Sequence, residues 1–246
     1  MVLDITLDQI ESAASIVYAE MQPTSQYCWP LLCENLGTEV WVKHENQTPI
    51  GSFKIRGGLV YFAHLVKSSE TPKSVVSATK GNHGQSVGFA ARRYGIPATI
   101  VVPHGNSIEK NNAMRSLGVN LLEHGDDFQS AREFAIKMAR ENTLKMIPSF
   151  DPVLVTGVAT YSLELLKAVK DLDIVYVPIG LGSGICGMLA VREALKLKTK
   201  VVGVVSAHAS SYAKSFTSRH KIESPVTTKI ADGMDSRIPE PVSYTH

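Results

Sequence analysis

The 246 residues are 44% hydrophobic, and 25 basic against 23 acidic side chains leave a net charge of +2. That apolar content can bury a sizeable core in one large domain or two smaller ones, which excludes a disordered chain. No block of like charge offers a footprint for nucleic acid or an anionic membrane, and no apolar run approaches the ~18 residues that a bilayer span needs. Cys28, Cys33 and Cys186 are an odd count without C-x-x-C spacing, which points to a reducing compartment rather than a disulfide framework. The start "MVLDITLDQIESAASIVYAE" lacks a basic segment followed by an apolar run. The expectation is a soluble cytoplasmic protein whose partner is a small molecule.

In chain order, the first segment that carries chemistry is "PIGSFKIRGG" at 49–58. Gly51 and Ser52 read as a turn and an N-cap, and Phe53 is a large apolar residue directly before Lys54. Gly57 and Gly58 leave the first turns almost bare, which suits something packed closely against them. Lys54 by itself is either a solvated helix cation or a covalent attachment point. A helix at 55–67 precedes the β-rich "SVVSA" at 74–78, and "SATKGNHGQS" at 77–86 leads into a helix at 84–94 stopped by Gly95. In that loop Gly81 and Gly84 bracket Asn82 and His83, polar side chains on a flexible backbone at the open end of a strand.

"ATIVVP" reads as the next strand, Ser107 caps a helix that Gly118 ends, and "VNLLE" precedes an amphipathic helix at about 127–141. "KMIPS" is a further strand, "SFDP" near 149–151 is a candidate domain crossing, and a helix at about 152–170 leads into "DIVYVPIG". A helix at 187–197 and the strand "KVVGVVSA" follow. Strands and helices alternating at this spacing predict parallel sheets built from right-handed βαβ units, with ligands at the carboxyl ends of the strands.

The second glycine loop, "VPIGLGSGICG" at 177–187, holds Gly182, Gly184 and Gly187 in the G-x-G-x-x-G pattern of dinucleotide sites. The following strand, "VVGVVSAHAS", ends without the acid that would bind a ribose hydroxyl, and no Walker A lysine is present. What remains is a nest of backbone N–H groups aimed with a helix N-terminus at an anion such as a phosphate, or close helix–sheet packing alone.

"GSFKIRGG", "GNHGQ", "GLGSG" and the late "IADGM" at 230–234 stand in the order and spacing of the fold-type-II pyridoxal-phosphate enzymes, and the chain resembles a threonine/serine dehydratase over almost its whole length. The resemblance implies two three-layer parallel-sheet domains of the tryptophan synthase β-like class. Residues 1–54 and 149–246 would form the larger, cofactor-binding domain, and 55–148 a smaller inserted one. It implies pyridoxal 5'-phosphate attached to Lys54, with Phe53 beside the ring and Asn82 on the ring hydroxyl. Gly180, Leu181, Gly182, Ser183 and Gly184 would hold the phosphate, and Thr79, Lys80, Asn82 and His83 would face the substrate. The implied reaction is β-elimination of water from L-threonine and L-serine, giving a 2-oxo acid and ammonia, in a homodimer.

Four departures from the family pattern set further expectations. Lys80 stands where serine-racemising members carry a serine, which argues against racemisation and leaves the lysine either solvated or available to an acidic substrate such as a hydroxyaspartate; an ectoine-pathway hydroxy amino acid is a further alternative. Val205-Ser206 replaces a metal-ligating glutamate, so no metal is expected. Leu181 and Ser183 replace glycines of the phosphate loop, which would be strained wherever φ > 0 is required. The chain stops at "PEPVSYTH", tens of residues short of the usual catalytic domain, so a C-terminally truncated enzyme, or a cofactor-binding remnant with little turnover, is expected.

Overall fold

The computed structural model describes residues 3–68, 71–228 and 230–240. Its centre is a four-stranded parallel sheet in the order β5-β4-β3-β6, from β3 (Val75–Ala78), β4 (Ala98–Val102), β5 (Asn120–Glu123) and β6 (Lys145–Met146). Side chains on β3 alternate between the two faces. Val75 joins Phe62, Val87 and Ala90 on one side, and Val76 and Ala78 join Ala131 and Ala135 on the other. Helices α3 (Lys54–Lys67) and α4 (Asn82–Arg93) supply the first cover, and α6 (Phe128–Glu141) the second. The result is the three-layer arrangement that a sheet apolar on both faces requires.

The chain runs from β3 outward to β5 and then returns to β6 on the other side of β3, so the direction of winding reverses at β3. Sheets of this kind bind ligands at the carboxyl ends of the strands where the winding reverses, here those of β3 and β6. Helix α5 (Ile108–Ser116) joins β4 to β5, and Ser107 caps it by accepting from the Lys110 N–H at 3.4 Å.

A second parallel pair, β7 (Ile174–Pro178) and β8 (Lys200–Val204), is linked by α8 (Ser183–Ala194) and packs with α7 (Pro152–Ala168) and α1 (Leu7–Tyr18) around Val155, Ala159, Val177, Met188 and Val191. Asp151 caps α7 by accepting from the Val153 N–H at 2.8 Å, with Pro152 at the first helical position, which makes "SFDP" a helix start. Helix α8 begins four residues ahead of the position expected from the sequence, because the glycines that hide its onset lie inside its first turns.

The N-terminal segment contains elements that the sequence reading left unassigned. Helix α1 opens with a capping box between Thr6 and Gln9, and an antiparallel hairpin of β1 (Gln26–Cys28) and β2 (Trp41–Lys43) carries the short helix α2 (Pro30–Leu36) between its strands. The later helix α9 (Ser211–Ser218) completes the set among the described residues.

Candidate active site

Helix α3 crosses two others closely, and its glycines serve that packing. A Cβ on Gly57 would lie 2.8 Å from the Leu154 carbonyl oxygen of α7, and one on Gly58 would lie 2.2 Å from Ser86 Oγ of α4. What fits against the bare start of the helix is therefore protein, not a ligand. The N-cap position is Phe53 rather than Ser52, and Ser52 Oγ accepts from the Lys54 N–H at 3.3 Å. Ser86 Oγ donates to the Lys54 carbonyl at 2.6 Å, which fixes the turn that carries the lysine.

From that turn the Lys54 side chain reaches the first residue of α8, where its Nζ donates to Ser183 Oγ at 3.4 Å. The Phe53 ring also lies beside it, with its centroid 5.4 Å from Nζ. With so little to stabilise its charge, burial pushes the Lys54 ammonium down to about 8. Phe53 in turn lies against Tyr161 at 5.8 Å between ring centroids, and the Tyr161 hydroxyl donates to the Gly184 carbonyl at 3.2 Å.

The glycine loop after β7 meets the same place. Gly182 is the N-cap of α8 with φ +97°, and among the described residues the non-glycine positions with φ > 0 lie elsewhere, at Thr143, Asp171, Lys196 and Arg219. The left-handed residue of the nest is thus a glycine, and Leu181 and Ser183 carry their Cβ atoms in ordinary backbone regions. Gly187 packs α8 onto α7, since a Cβ there would sit 3.0 Å from Ala159 Cα. A Cβ on Gly180 would lie 2.2 Å from the carbonyl oxygen of Gly233, so the "IADGM" segment rests directly on the start of the loop.

The loop after β3 supplies the third side. Thr79 is buried, and its Oγ1 accepts from the Gly81 N–H at 3.0 Å, shaping the turn into α4. Asn82 is the first residue of that helix. His83 is buried with no hydrogen-bond partner on Nε2. Its imidazole is pushed down to about 3, first by burial and then by the Lys54 charge, against a hydrogen bond to the Ile147 backbone at the end of β6. Lys80 turns away to Asp235 Oδ2 at 2.7 Å, and Lys110 pairs with Asp232. Among the described residues no group of three or more His, Cys, Asp or Glu side chains converges as a metal site.

A second buried polar cluster escaped the sequence reading. Arg56 is fully buried and donates to Glu45 at 2.8 and 2.9 Å, to Glu164 at 2.5 and 3.0 Å and to Thr160 at 3.0 Å. Lys43 joins Glu164 at 2.5 Å, and the Tyr18 hydroxyl donates to Glu164 at 2.9 Å. Burial opposes the Arg56 charge, but its bonds to Glu164 and Glu45 more than offset this and leave its pKa raised. Charged residues at 43, 45 and 164 and an arginine two residues after the candidate lysine were the available signal, and only the folded chain brings them together.

A buried amine with a lowered pKa, a neutral histidine with a bare nitrogen and a glycine turn at a helix start thus meet beside the carboxyl ends of β3, β6 and β7. Residues 21–246 match the family described as pyridoxal-phosphate dependent enzyme, and the chain belongs to that family. It is similar to the L-threonine ammonia-lyase of Thermotoga maritima, 32% identical over 98% of this chain and 60% of that one. It is also similar to a biosynthetic L-threonine dehydratase of Haemophilus influenzae, 33% identical over 81% of this chain and 39% of that one. The chain therefore spans less than two thirds of the length of either relative. Among solved structures, a processed threonine deaminase isoform from Solanum lycopersicum superimposes with TM-score 0.85 at 26% identity, covering 100% of this chain and 73% of its own. Maize serine racemase gives TM-score 0.89 at 25% identity over 98% and 73%.

The residues present fit the family's cofactor. Lys54 offers a primary amine within reach of Ser183, the turn around Gly182 opens α8 toward an anion, and the buried His83 Nε2 awaits a partner.

Proposed function

We propose that this chain binds pyridoxal 5'-phosphate through Lys54 and eliminates water from L-threonine, and secondarily L-serine, to give a 2-oxo acid and ammonia. The observation that carries the reading is the placement of Lys54 Nζ 3.4 Å from Ser183 Oγ, where an amine and the mouth of the anion nest meet. In this reading Gly180 to Gly184 take the phosphate on backbone N–H groups, Phe53 lies beside the ring, and Asn82 bonds the ring hydroxyl. Thr79, Asn82 and His83 serve the substrate carboxylate. When bound, the cofactor supplies an electron sink for the pair left at Cα.

The chain's own groups then have defined tasks. Lys54, pushed down to about 8, keeps roughly a tenth of its amine neutral at pH 7 and can take the Cα proton without a large uphill transfer. His83, neutral at that pH, neither adds a competing cation nor donates a proton as an acid; it offers one hydrogen bond from a fixed ring. The engagement of Lys80 with Asp235 supports a neutral hydroxy amino acid over an acidic one, since the lysine charge is already met.

We also propose that residues 1–54 with 149–246 act as the larger unit and 55–148 as the smaller, with Lys54 at the junction, and that the chain works as a homodimer in the cytoplasm. The test is direct. Protein mixed with pyridoxal phosphate should gain a visible absorption band that borohydride fixes covalently, and peptide mapping should find the label on Lys54. Lys54→Ala should lose both, whereas a label moved to Lys80 would overturn the assignment. Release of 2-oxo acid from a panel of hydroxy amino acids should rank threonine first.

A further inference from the structure

The N-terminal hairpin holds two sulfurs in contact. Cys28 ends β1, Cys33 lies in α2, and their Sγ atoms are 3.4 Å apart. The backbone on both sides is pinned. Cys28 pairs with Trp41 in the β1–β2 register, the Trp29 N–H donates to the Val40 carbonyl at 3.1 Å, and the Val40 N–H donates to Cys33 Sγ at 3.2 Å. Pro30 at the first helical position restricts the short connection between them. Both cysteines are partly exposed, whereas Cys186 is buried.

We propose that Cys28 and Cys33 form a reversible disulfide site, closed by exchange with a small-molecule disulfide of the glutathione type. The sulfurs need to approach by only roughly 1.3 Å to reach bonding distance, within what a partly exposed helix of two turns can yield. Cys33 Sγ already accepts one backbone N–H, which holds it in place as the attacking sulfur. The Cys28 thiol is held above its ordinary range, first by its hydrogen bond to Cys33 and then by burial, and either sulfur can donate in that contact.

The exchange balances in two steps. The Cys33 thiolate attacks oxidised glutathione, forming a mixed disulfide and releasing one glutathione thiolate. Cys28 then loses its proton and attacks Cys33 Sγ, which forms the Cys28–Cys33 bond, breaks the bond to glutathione and releases the second thiolate. Two protein thiols are oxidised and one glutathione disulfide is reduced; the two protons end on the glutathione thiols. The ring so closed ties β1 to α2 in the same hairpin whose second strand supplies Lys43, one of the groups around Glu164. The inference is independent of the proposed lyase chemistry.

The experiment treats the native 246-residue chain with oxidised glutathione, then alkylates it under denaturing conditions and maps the peptides by mass. The expected product is a monomer two hydrogens lighter, with Cys186 as the single alkylated cysteine and full recovery of the other two thiols after dithiothreitol. Cys28→Ser should stop at the mixed disulfide, one glutathione heavier on Cys33, and Cys33→Ser should acquire glutathione at Cys28 several-fold more slowly. Glutathione retained on either cysteine of the unsubstituted chain, a disulfide-linked dimer, or three alkylated thiols would each overturn the proposal. The decisive comparison uses the unsubstituted chain, so misfolding of a variant does not blunt it.

Discussion

Lys54 and Arg56 leave the same turn of α3, two residues apart and therefore on different faces of the helix. Arg56 is enclosed by two carboxylates and a threonine hydroxyl, with every short contact made to the protein itself. Lys54 has one long hydrogen bond to Ser183 and an aromatic neighbour. Buried polar groups cost free energy unless they are partnered, so the satisfied cluster is where the fold keeps its own charges and the unsatisfied one is where something else belongs. His83, buried and bare at Nε2, stands on the Lys54 side of that division. The Arg56 cluster binds α1, β2, α3 and α7 together and in doing so aims the turn that presents Lys54.

The comparison breaks most readily at Arg56. Replacing it with methionine leaves Glu45 without its cation and Glu164 with Lys43 alone, and removing one partner of a buried ion cluster costs about 3–5 kcal/mol. Urea denaturation of Arg56→Met should therefore show a large loss of stability. Arg56→Lys should recover only part of it, because one ammonium cannot bridge two carboxylates as a guanidinium fork does. A loss below about 1 kcal/mol would contradict the division drawn between the two sites.

Lys54→Met should act in the opposite direction. The folded-state value, about 8, lies below the ordinary 10.5, so the unfolded chain binds more protons between those two pH values and stability rises across that window. Below pH 8 the full cost of holding a buried ammonium is present, about 3 kcal/mol. Removing the amine should stabilise the cofactor-free protein at pH 7 by up to that amount and flatten its stability between pH 8 and 10. Tyr18 and Tyr161 are both raised by burial and would begin to subtract stability above pH 10, so denaturation should be followed below it. A Lys54→Met chain less stable than the parent at pH 7 would mean that the lysine is a structural cation like Arg56.

These two regions were unequally visible in the sequence. The Lys54 turn, the Asn82-His83 loop and the Gly182 loop each lie within about ten residues of chain, with glycines marking strand ends, so local chemistry exposed them. Val75 to Ala78 and Ala98 to Val102 were plain as strands from their β-branched runs. The Arg56 cluster draws on Tyr18, Lys43, Glu45, Thr160 and Glu164, and nothing local distinguishes those side chains from solvated ones. Helix α1 was missed although Thr6 and Gln9 spell a capping box, and the strands of the β1–β2 hairpin are too short to carry an alternation. The bare start at Gly57 and Gly58 signals a close approach, and sequence alone does not distinguish a helix from a cofactor as the visitor.

That close approach sets the next expectation. A Cβ on Gly157 of α7 would fall 2.4 Å from the Arg56 carbonyl oxygen and 2.8 Å from Gly57 Cα, both backbone atoms that can move only if α3 moves. Gly157→Ala should cost about 1–3 kcal/mol in urea denaturation, the usual range for overpacking. Because the shift passes through α3, it should also weaken pyridoxal-phosphate binding at Lys54. Unchanged binding with reduced stability would show that the two faces of α3 are mechanically separate.

The smallest effect is expected at Lys80 and Asp235, which lie 155 residues apart in sequence and are joined across the mouth of the site. The lysine side chain is 39% exposed and the pair faces solvent, so its coupling in a double-mutant cycle should be about 0–1 kcal/mol and should fall with added salt. The pair nevertheless has a local task. With Asp232 on Lys110 and the Gly233 carbonyl against Gly180, it holds the 231–236 segment over the loop that begins at Gly180. Lys80→Ala should thus leave the urea midpoint nearly unchanged while amide hydrogen exchange in 231–236 accelerates several-fold, since local opening is read separately from global unfolding. If exchange there stays as slow as in the parent chain, the segment is held by its backbone contacts alone and Lys80 is free for another partner.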